Sequence, residues 1–187
     1  MKIKKNKKYI IKIPNKIHIF YCEIKKTIII RGPQTQKSLQ IEIKIIIKKN
    51  ELEVTSIPLF KIQNNLQKKL KEKQGTTVAL IKQILTDTCT TIYKKLNFIG
   101  IGYRASCIDN NLLLLKLGYS HQIYYKIPNN LEIFSLKLTK LILNSNSYQS
   151  LTLSASLIRS KKVPEPYKGK GILYENEKIK LKEGKKI

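Results

Sequence analysis

Residues 39–47 read Leu-Gln-Ile-Glu-Ile-Lys-Ile-Ile-Ile. Leu39, Ile41, Ile43, Ile45 and Ile47 fall at every second position, with Gln40, Glu42 and Lys44 between them. A period of two sends alternate side chains to opposite faces of a β-strand, so the isoleucine face is expected to cover a core. Past Lys48, Lys49 and Asn50, residues Leu52, Val54 and Ser56 continue the pattern as a return strand. Upstream, residues 17–24 alternate loosely around His18, Phe20 and Cys22. The β-branched run 27–30 reads as another strand, stopped by Gly32 and Pro33. The first region is therefore expected to be a small antiparallel sheet.

The period then changes. Beyond Gly75, with Thr76 or Thr77 as N-cap, Val78, Ile81, Leu85, Thr88 and Ile92 recur at helical spacing. This predicts a helix running to about Leu96 and covering one face of the sheet. The same order then repeats. Residues 98–108 read as a strand, 109–111 as a turn, 112–117 as its partner, and 118–121 as an interruption. Strands at 123–127, 131–136 and 138–143 follow, then a polar turn at 144–147. A shorter helix over 151–158 carries Leu151, Ala155 and Ile158 on one stripe. Strands followed by a helix, twice, predict an α+β fold of two tandem small domains, each an antiparallel sheet covered by a helix. The expected divisions are a basic arm (1–8), a first domain (9–96), a second domain (97–162) and a basic extended tail (163–187).

Charge bounds the partners. The 187 residues include 37 Lys and Arg against 12 Asp and Glu, a net charge of +25, while 42% are hydrophobic and can build cores. So large a charge repels itself and implies a polyanion, nucleic acid before an anionic membrane surface. No apolar run approaches the roughly 20 residues of a membrane span, and no amphipathic anchor is evident, so no membrane partner is expected. Three of the basic residues are Arg (Arg31, Arg104, Arg159) and the rest Lys, with Ile and Asn abundant and Trp absent. Lys, Ile and Asn share A/T-rich codons, which points to an A/T-rich genome, of which organelles are one kind. Residues 1–8 are basic, without a long apolar stretch or an Arg- and Ser-rich pattern. The protein is thus expected to be made in the compartment where it works. Cys22, Cys89 and Cys107 lack metal-ligand spacing and are expected to be reduced core thiols.

The tail holds a second informative stretch, residues 163–171, Val-Pro-Glu-Pro-Tyr-Lys-Gly-Lys-Gly. Pro164 and Pro166 favour an extended path. Gly169 and Gly171 lack a Cβ, so another backbone can come close. Lys168 and Lys170 add charge and Tyr167 a ring, a combination suited to a phosphate surface. A solvated basic terminus is the plainer alternative. After Ile158 there are ten basic and four acidic residues. The few apolar ones look insufficient for a core, so the tail is expected to take its shape from what it binds.

Catalysis finds little support. His18 lies mid-strand, as an ordinary surface or core residue. His121 lies in a tight loop with Gly118 and Ser120, but as a base it would need an orienting carboxylate, and none stands nearby in sequence. Stacking on RNA or hydrogen bonding to it needs no such partner, and that reading is preferred. Gly100-Ile101-Gly102 lies inside a strand pattern, which disfavours a dinucleotide site and suggests a bulge or close packing. Paired carboxylates and metal-ligand clusters are absent, so neither an enzyme, a cofactor nor a metal is expected. What remains is a lysine-rich surface interleaved with Tyr103, Tyr119, Tyr124, Tyr125, Tyr148 and Tyr167. Such a surface grips phosphates with little base specificity and fits shape recognition of folded RNA.

Several of these residues, in order, resemble the large-subunit ribosomal protein six ("L-six") family. They are Ile30 to Pro33; Gly75, Thr76 and Thr77 with Ala79, Leu80 and Ile81; 99–105; 117–121 (Leu-Gly-Tyr-Ser-His); 164–171; and 183–186 (Glu-Gly-Lys-Lys). The resemblance covers nearly the whole chain. It implies two tandem α+β domains and a structural role on large-subunit rRNA, beside the sarcin–ricin loop and near the stalk base where translation GTPases dock. Neighbouring large-subunit proteins would be further partners. It assigns rRNA contact to Arg104, to Gly118, Tyr119, Ser120 and His121, and to Arg159, Lys161 and Lys162. It extends the contact to Pro164, Tyr167, Lys168, Gly169, Lys170 and Gly171, and to Lys185 and Lys186. Three departures stand out. Val78 and Leu173 sit where the family commonly has Arg, removing two possible phosphate contacts. Gln122 sits where Pro is usual, which would loosen the loop. The basic run at 1–8 is longer than usual and is open to a contact peculiar to this ribosome. With the codon bias, the expectation is a mitochondrial ribosome, with a plastid-type organelle or an A/T-rich bacterium as alternatives. The rivals are a free nucleic-acid-binding regulator and an enzyme acting on RNA.

Overall fold

The computed structural model describes residues 9–59, 67–109 and 111–184. The basic arm 1–8 and the contacts expected of Lys185 and Lys186 lie outside the described residues. The chain separates into two compact units, Met1–Thr90 and Thr91–Ile187.

In the first unit, strand β1 (Ile10–Lys12) precedes an antiparallel meander of β2 (His18–Cys22), β3 (Thr27–Arg31) and β4 (Gln36–Gln40). Strands β5 (Ile43–Ile47) and β6 (Glu51–Pro58) then form a hairpin, and β6 also pairs with β1, giving the order β1-β6-β5. Helix α1 (Gln67–Cys89) closes the unit. The 39–47 run behaves as its period demands over Ile41, Ile43 and Ile45, which are 2%, 1% and 3% exposed. It is not one strand, however. After Gln40 the chain turns a corner between sheets, with the Ile41 N–H donating to the Lys26 carbonyl (2.8 Å) and the Glu42 carbonyl accepting from Leu59 (2.8 Å). Alternation reports which side of the chain meets the core, whichever sheet supplies the strand. Ile47, beyond the register shift of β5, is exposed.

Helix α1 begins earlier and ends sooner than the spacing suggested. It contains Gly75, which is exposed with open space around its Cβ position and so is tolerated at a cost of about 1 kcal/mol against Ala. Thr76 and Thr77 are interior, their hydroxyls donating to the carbonyls of Lys73 and Gln74. Val78, Ile81, Leu85 and Thr88 face the core, as the helical spacing required. Asp87, 2% exposed, accepts from Lys37 at 2.6 Å and ties the end of α1 to β4.

The second unit repeats the build. Strand β7 (Ile92–Ile99) precedes a meander of β8 (Arg104–Asp109), β9 (Leu112–Lys116) and β10 (Ile123–Lys126). The hairpin of β11 (Glu132–Lys137) and β12 (Lys140–Ser145) leads to helix α2 (Tyr148–Ser160). The sheet order β11-β12-β7 matches β5-β6-β1, so both units share one topology. Residues 92–96, expected to end the first helix, are strand, and the expected division after 96 falls inside β7. The predicted strand 98–108 is two strands joined by a turn at Gly100–Gly102, where Gly102 has φ +72°. The core of this unit includes Leu96, Phe98, Leu113, Leu115, Leu141, Leu143, Leu151, Ala155 and Ile158.

The tail corrects a further expectation. Residues Gly171–Tyr174 form β13, which adds to β7 as a fourth strand and buries Ile172 in the core. Part of the tail therefore takes its shape from the protein itself.

Candidate nucleic-acid interface

Leu117, just past β9, is fully buried and anchors the start of the 118–121 loop. Gly118, at φ +75°, redirects the chain, and a Cβ there would lie 3.0 Å from the Tyr103 ring. Tyr103, expected on the basic surface, is instead a core residue, 9% exposed. The turn brings Tyr119 to the end of α2, where its hydroxyl donates to the Lys161 carbonyl at 3.1 Å. The Lys162 ammonium sits 4.4 Å from the Tyr119 ring centroid, a cation–π contact. His121 stacks on the same ring, with centroids 5.9 Å apart and 22° between planes. Residues 118–121 are all exposed. Gln122 supplies a different restraint from the expected Pro, its Oε1 accepting from the Tyr124 hydroxyl at 3.2 Å.

The 163–171 segment is linked to the same helix end. The Ile172 N–H donates to the Lys162 carbonyl (3.0 Å), and Glu165 N–H to the Lys170 carbonyl (2.9 Å). The Gly169 N–H donates to the Glu165 carbonyl (2.9 Å), closing a turn with Tyr167 and Lys168 exposed at its tip. The Lys182 N–H donates to the Pro166 carbonyl (2.9 Å), so the later tail returns alongside. Gly171 does admit a close backbone, as its type suggested, but the backbone is the chain's own. A Cβ there would lie 2.5 Å from the Pro164 Cα.

Arg159, assigned to rRNA contact by the resemblance, is engaged within the protein. Its Nη2 donates to Glu177 Oε1 at 2.5 Å and its guanidinium lies 5.3 Å from the Tyr174 ring centroid. Glu177 Oε2 also accepts the Tyr174 N–H (3.2 Å), and Lys94 lies over the rings of Tyr148 and Tyr174. This knot fastens the tail to α2 and β7. Nothing in the spacing of Glu177 and Tyr174 shows that the chain folds back on Arg159. Arg104 is exposed at the start of β8, opposite Lys116 in register. Among the described residues, Arg104, Lys161, Lys162, Lys168 and Lys170 form none of the ion pairs, which engage Lys37, Lys44, Lys48, Lys73, Lys95 and Arg159.

Val78 and Leu173, the two positions at which the resemblance implies Arg, are buried, at 7% and 5% exposure. The cysteines are free, as expected; Cys89 is half-buried and packs against the core of the first unit, whereas Cys22 is half-buried and Cys107 is exposed. Desolvation of the Cys107 sulfur pushes its thiol pKa up, away from reactive thiolate. His18 is exposed on β2, opposite Arg31. Among the described residues there is no group of three or more His, Cys, Asp or Glu able to hold a metal, and no helix long and apolar enough to cross a membrane.

The model of the family described as Ribosomal protein L6 matches residues 99–175. The large ribosomal subunit protein uL6 of Mycoplasmoides gallisepticum is 36% identical over 180 residues, covering 94% of this chain and 93% of the relative. The uL6 of Chromohalobacter salexigens is 35% identical over 179 residues, covering 96% and 97%. That of Chloroherpeton thalassium is 34% identical over 160 residues, covering 84% and 85%. Fold, charge and these matches together define a structural protein of the large ribosomal subunit, associated with its rRNA and with other ribosomal proteins. The chain belongs to the ribosomal protein L6 family, whose members are structural rather than enzymatic.

Proposed function

We propose that the second unit docks on large-subunit rRNA through the 118–121 loop, the Lys161–Lys162 helix end and the 163–171 turn, with Arg104 as a further contact. Lys185 and Lys186 belong to the same proposed contact set. The neighbourhood is the sarcin–ricin loop and stalk base, where the protein buttresses the surface that translation GTPases use. One observation carries the reading. Lys161, Lys162, Lys168 and Lys170 lie on one hydrogen-bonded backbone system and form no ion pair among the described residues. Lysines held together and in no ion pair are placed to neutralise phosphates. Arg159 belongs to the same proposed contact set, its guanidinium held in place by the ion pair with Glu177.

Lys168→Glu combined with Lys170→Glu is expected to reduce incorporation into large subunits at least tenfold, with the melting temperature unchanged, because neither lysine forms an ion pair among the described residues. Reconstitution followed by sucrose-gradient sedimentation measures it, and wild-type incorporation of the double variant would overturn the reading. The same gradient separates the rival regulator, which would not travel in fixed ratio with large subunits. For the compartment, the Lys-, Ile- and Asn-rich composition supports an A/T-rich gene, mitochondrial or otherwise. The relatives named above are bacterial and lend the mitochondrial choice no support, whereas a bacterial cytoplasm fits them.

A further inference from the structure

Within the 118–121 loop the two rings are used differently. Tyr119 is consumed by the protein: its hydroxyl by the Lys161 carbonyl, its ring by Lys162 and by His121. His121 touches one ring, that of Tyr119, and is otherwise exposed. The result is a two-ring stack with His121 exposed, the Lys162 ammonium at the Tyr119 ring and the Lys161 carbonyl at the Tyr119 hydroxyl; neither lysine forms an ion pair among the described residues. An exposed ring stacked on a tyrosine that also carries an ammonium matches an unpaired nucleotide, which brings both a π-face and a phosphate. A base inside an A-form duplex offers no such face, and an apolar protein side chain has no use for the lysines.

We propose that an unpaired nucleotide of the large-subunit rRNA stacks on the open face of His121, with its phosphate beside Lys161 and Lys162. Tyr119 is the positioning residue that holds the imidazole in place. This rests on the reading that the loop faces rRNA, and adds to it that the element met there is single-stranded.

The test uses the full chain with two probes: a large-subunit rRNA fragment, and a single-stranded RNA octamer containing one 2-aminopurine, whose fluorescence falls on stacking. Wild type and His121→Phe are expected to quench the octamer with similar affinity. His121→Ala is expected to bind it about tenfold more weakly and to lose the quench, with an unchanged melting temperature. Tyr119→Phe keeps the ring but loses the bond to Lys161, and is expected to quench only partly. Undiminished quenching by His121→Ala overturns the proposal. So does His121→Phe behaving like His121→Ala, because hydrogen bonding rather than stacking would then explain the site. If rRNA-fragment binding survives while His121→Ala changes nothing, the stacked nucleotide alone is lost. If wild type fails to bind the fragment, the interface reading falls and this proposal with it.

Discussion

Raising salt from about 50 to about 200 mM is expected to weaken binding of the isolated chain to large-subunit rRNA by about 10³–10⁵-fold. The magnitude follows from roughly six to ten phosphates neutralised, each releasing condensed counterions into a solution where their release becomes less favourable as salt rises. The structure supplies enough charge for that number. The net charge is +25, and the carboxylates in ion pairs hold lysines of the first unit, or Lys95 and Arg159, rather than the lysines of the proposed interface. Lys95 shows the contrast: its hydrogen bond to Glu175 raises its pKa and leaves it no surplus charge for RNA. Fluorescence anisotropy across a potassium chloride series measures the effect. A plot of log affinity against log salt should slope between about −5 and −9, taking about −0.9 per phosphate. A slope shallower than about −2 would mean that charge neutralisation is not what holds the protein.

Much of this architecture could be read from local pattern, and its misreadings have physical reasons. The isoleucines of 39–47 mark the core because burial follows the period of the chain, yet the corner after Gln40 depends on contacts with Lys26 and Leu59 that alternation does not encode. Gly75 looked like a helix boundary because glycine is costly inside helices, but an exposed position in a 23-residue helix carries that cost. The preceding helix residues, 67–74, are rich in Lys and Gln and show no apolar stripe from which a start could be read. In the second unit, the exposure of the Tyr119–His121 loop and of the tip of the lysine-rich turn was legible. The internal partner of Arg159 and the burial of Tyr103 were not. No local spacing shows that Glu177 is brought beside Arg159, and a tyrosine between strands reads as surface until Gly100 and Gly118 leave room for its ring.

Gly171→Ala is expected to destabilise the second unit by on the order of 3 kcal/mol or more, lowering its melting temperature by about 10 °C or more. The new methyl group would meet the Pro164 Cα at 2.5 Å, the Pro164 N at 2.8 Å and the Val163 carbonyl carbon at 3.0 Å. All three are backbone atoms and cannot rotate aside as a side-chain tip could. Nor can the segment back away cheaply, because the Lys162–Ile172 and Lys170–Glu165 hydrogen bonds bracket it on both sides. The φ of +152° at Gly171 adds strain for any residue with a Cβ. Moving β13 instead would drag Ile172, fully buried, out of the core. The damage also reaches function, because the displaced turn carries Lys168 and Lys170, so rRNA affinity should fall even at temperatures where the unit remains folded. Gly184→Ala is the matched control: nothing lies within 4 Å of its Cβ position, and it should melt like wild type. Thermal denaturation followed by circular dichroism measures both variants. If Gly171→Ala melts with Gly184→Ala, then β13 is not seated against Pro164 as described, and the turn it fastens has no fixed place from which to present its lysines.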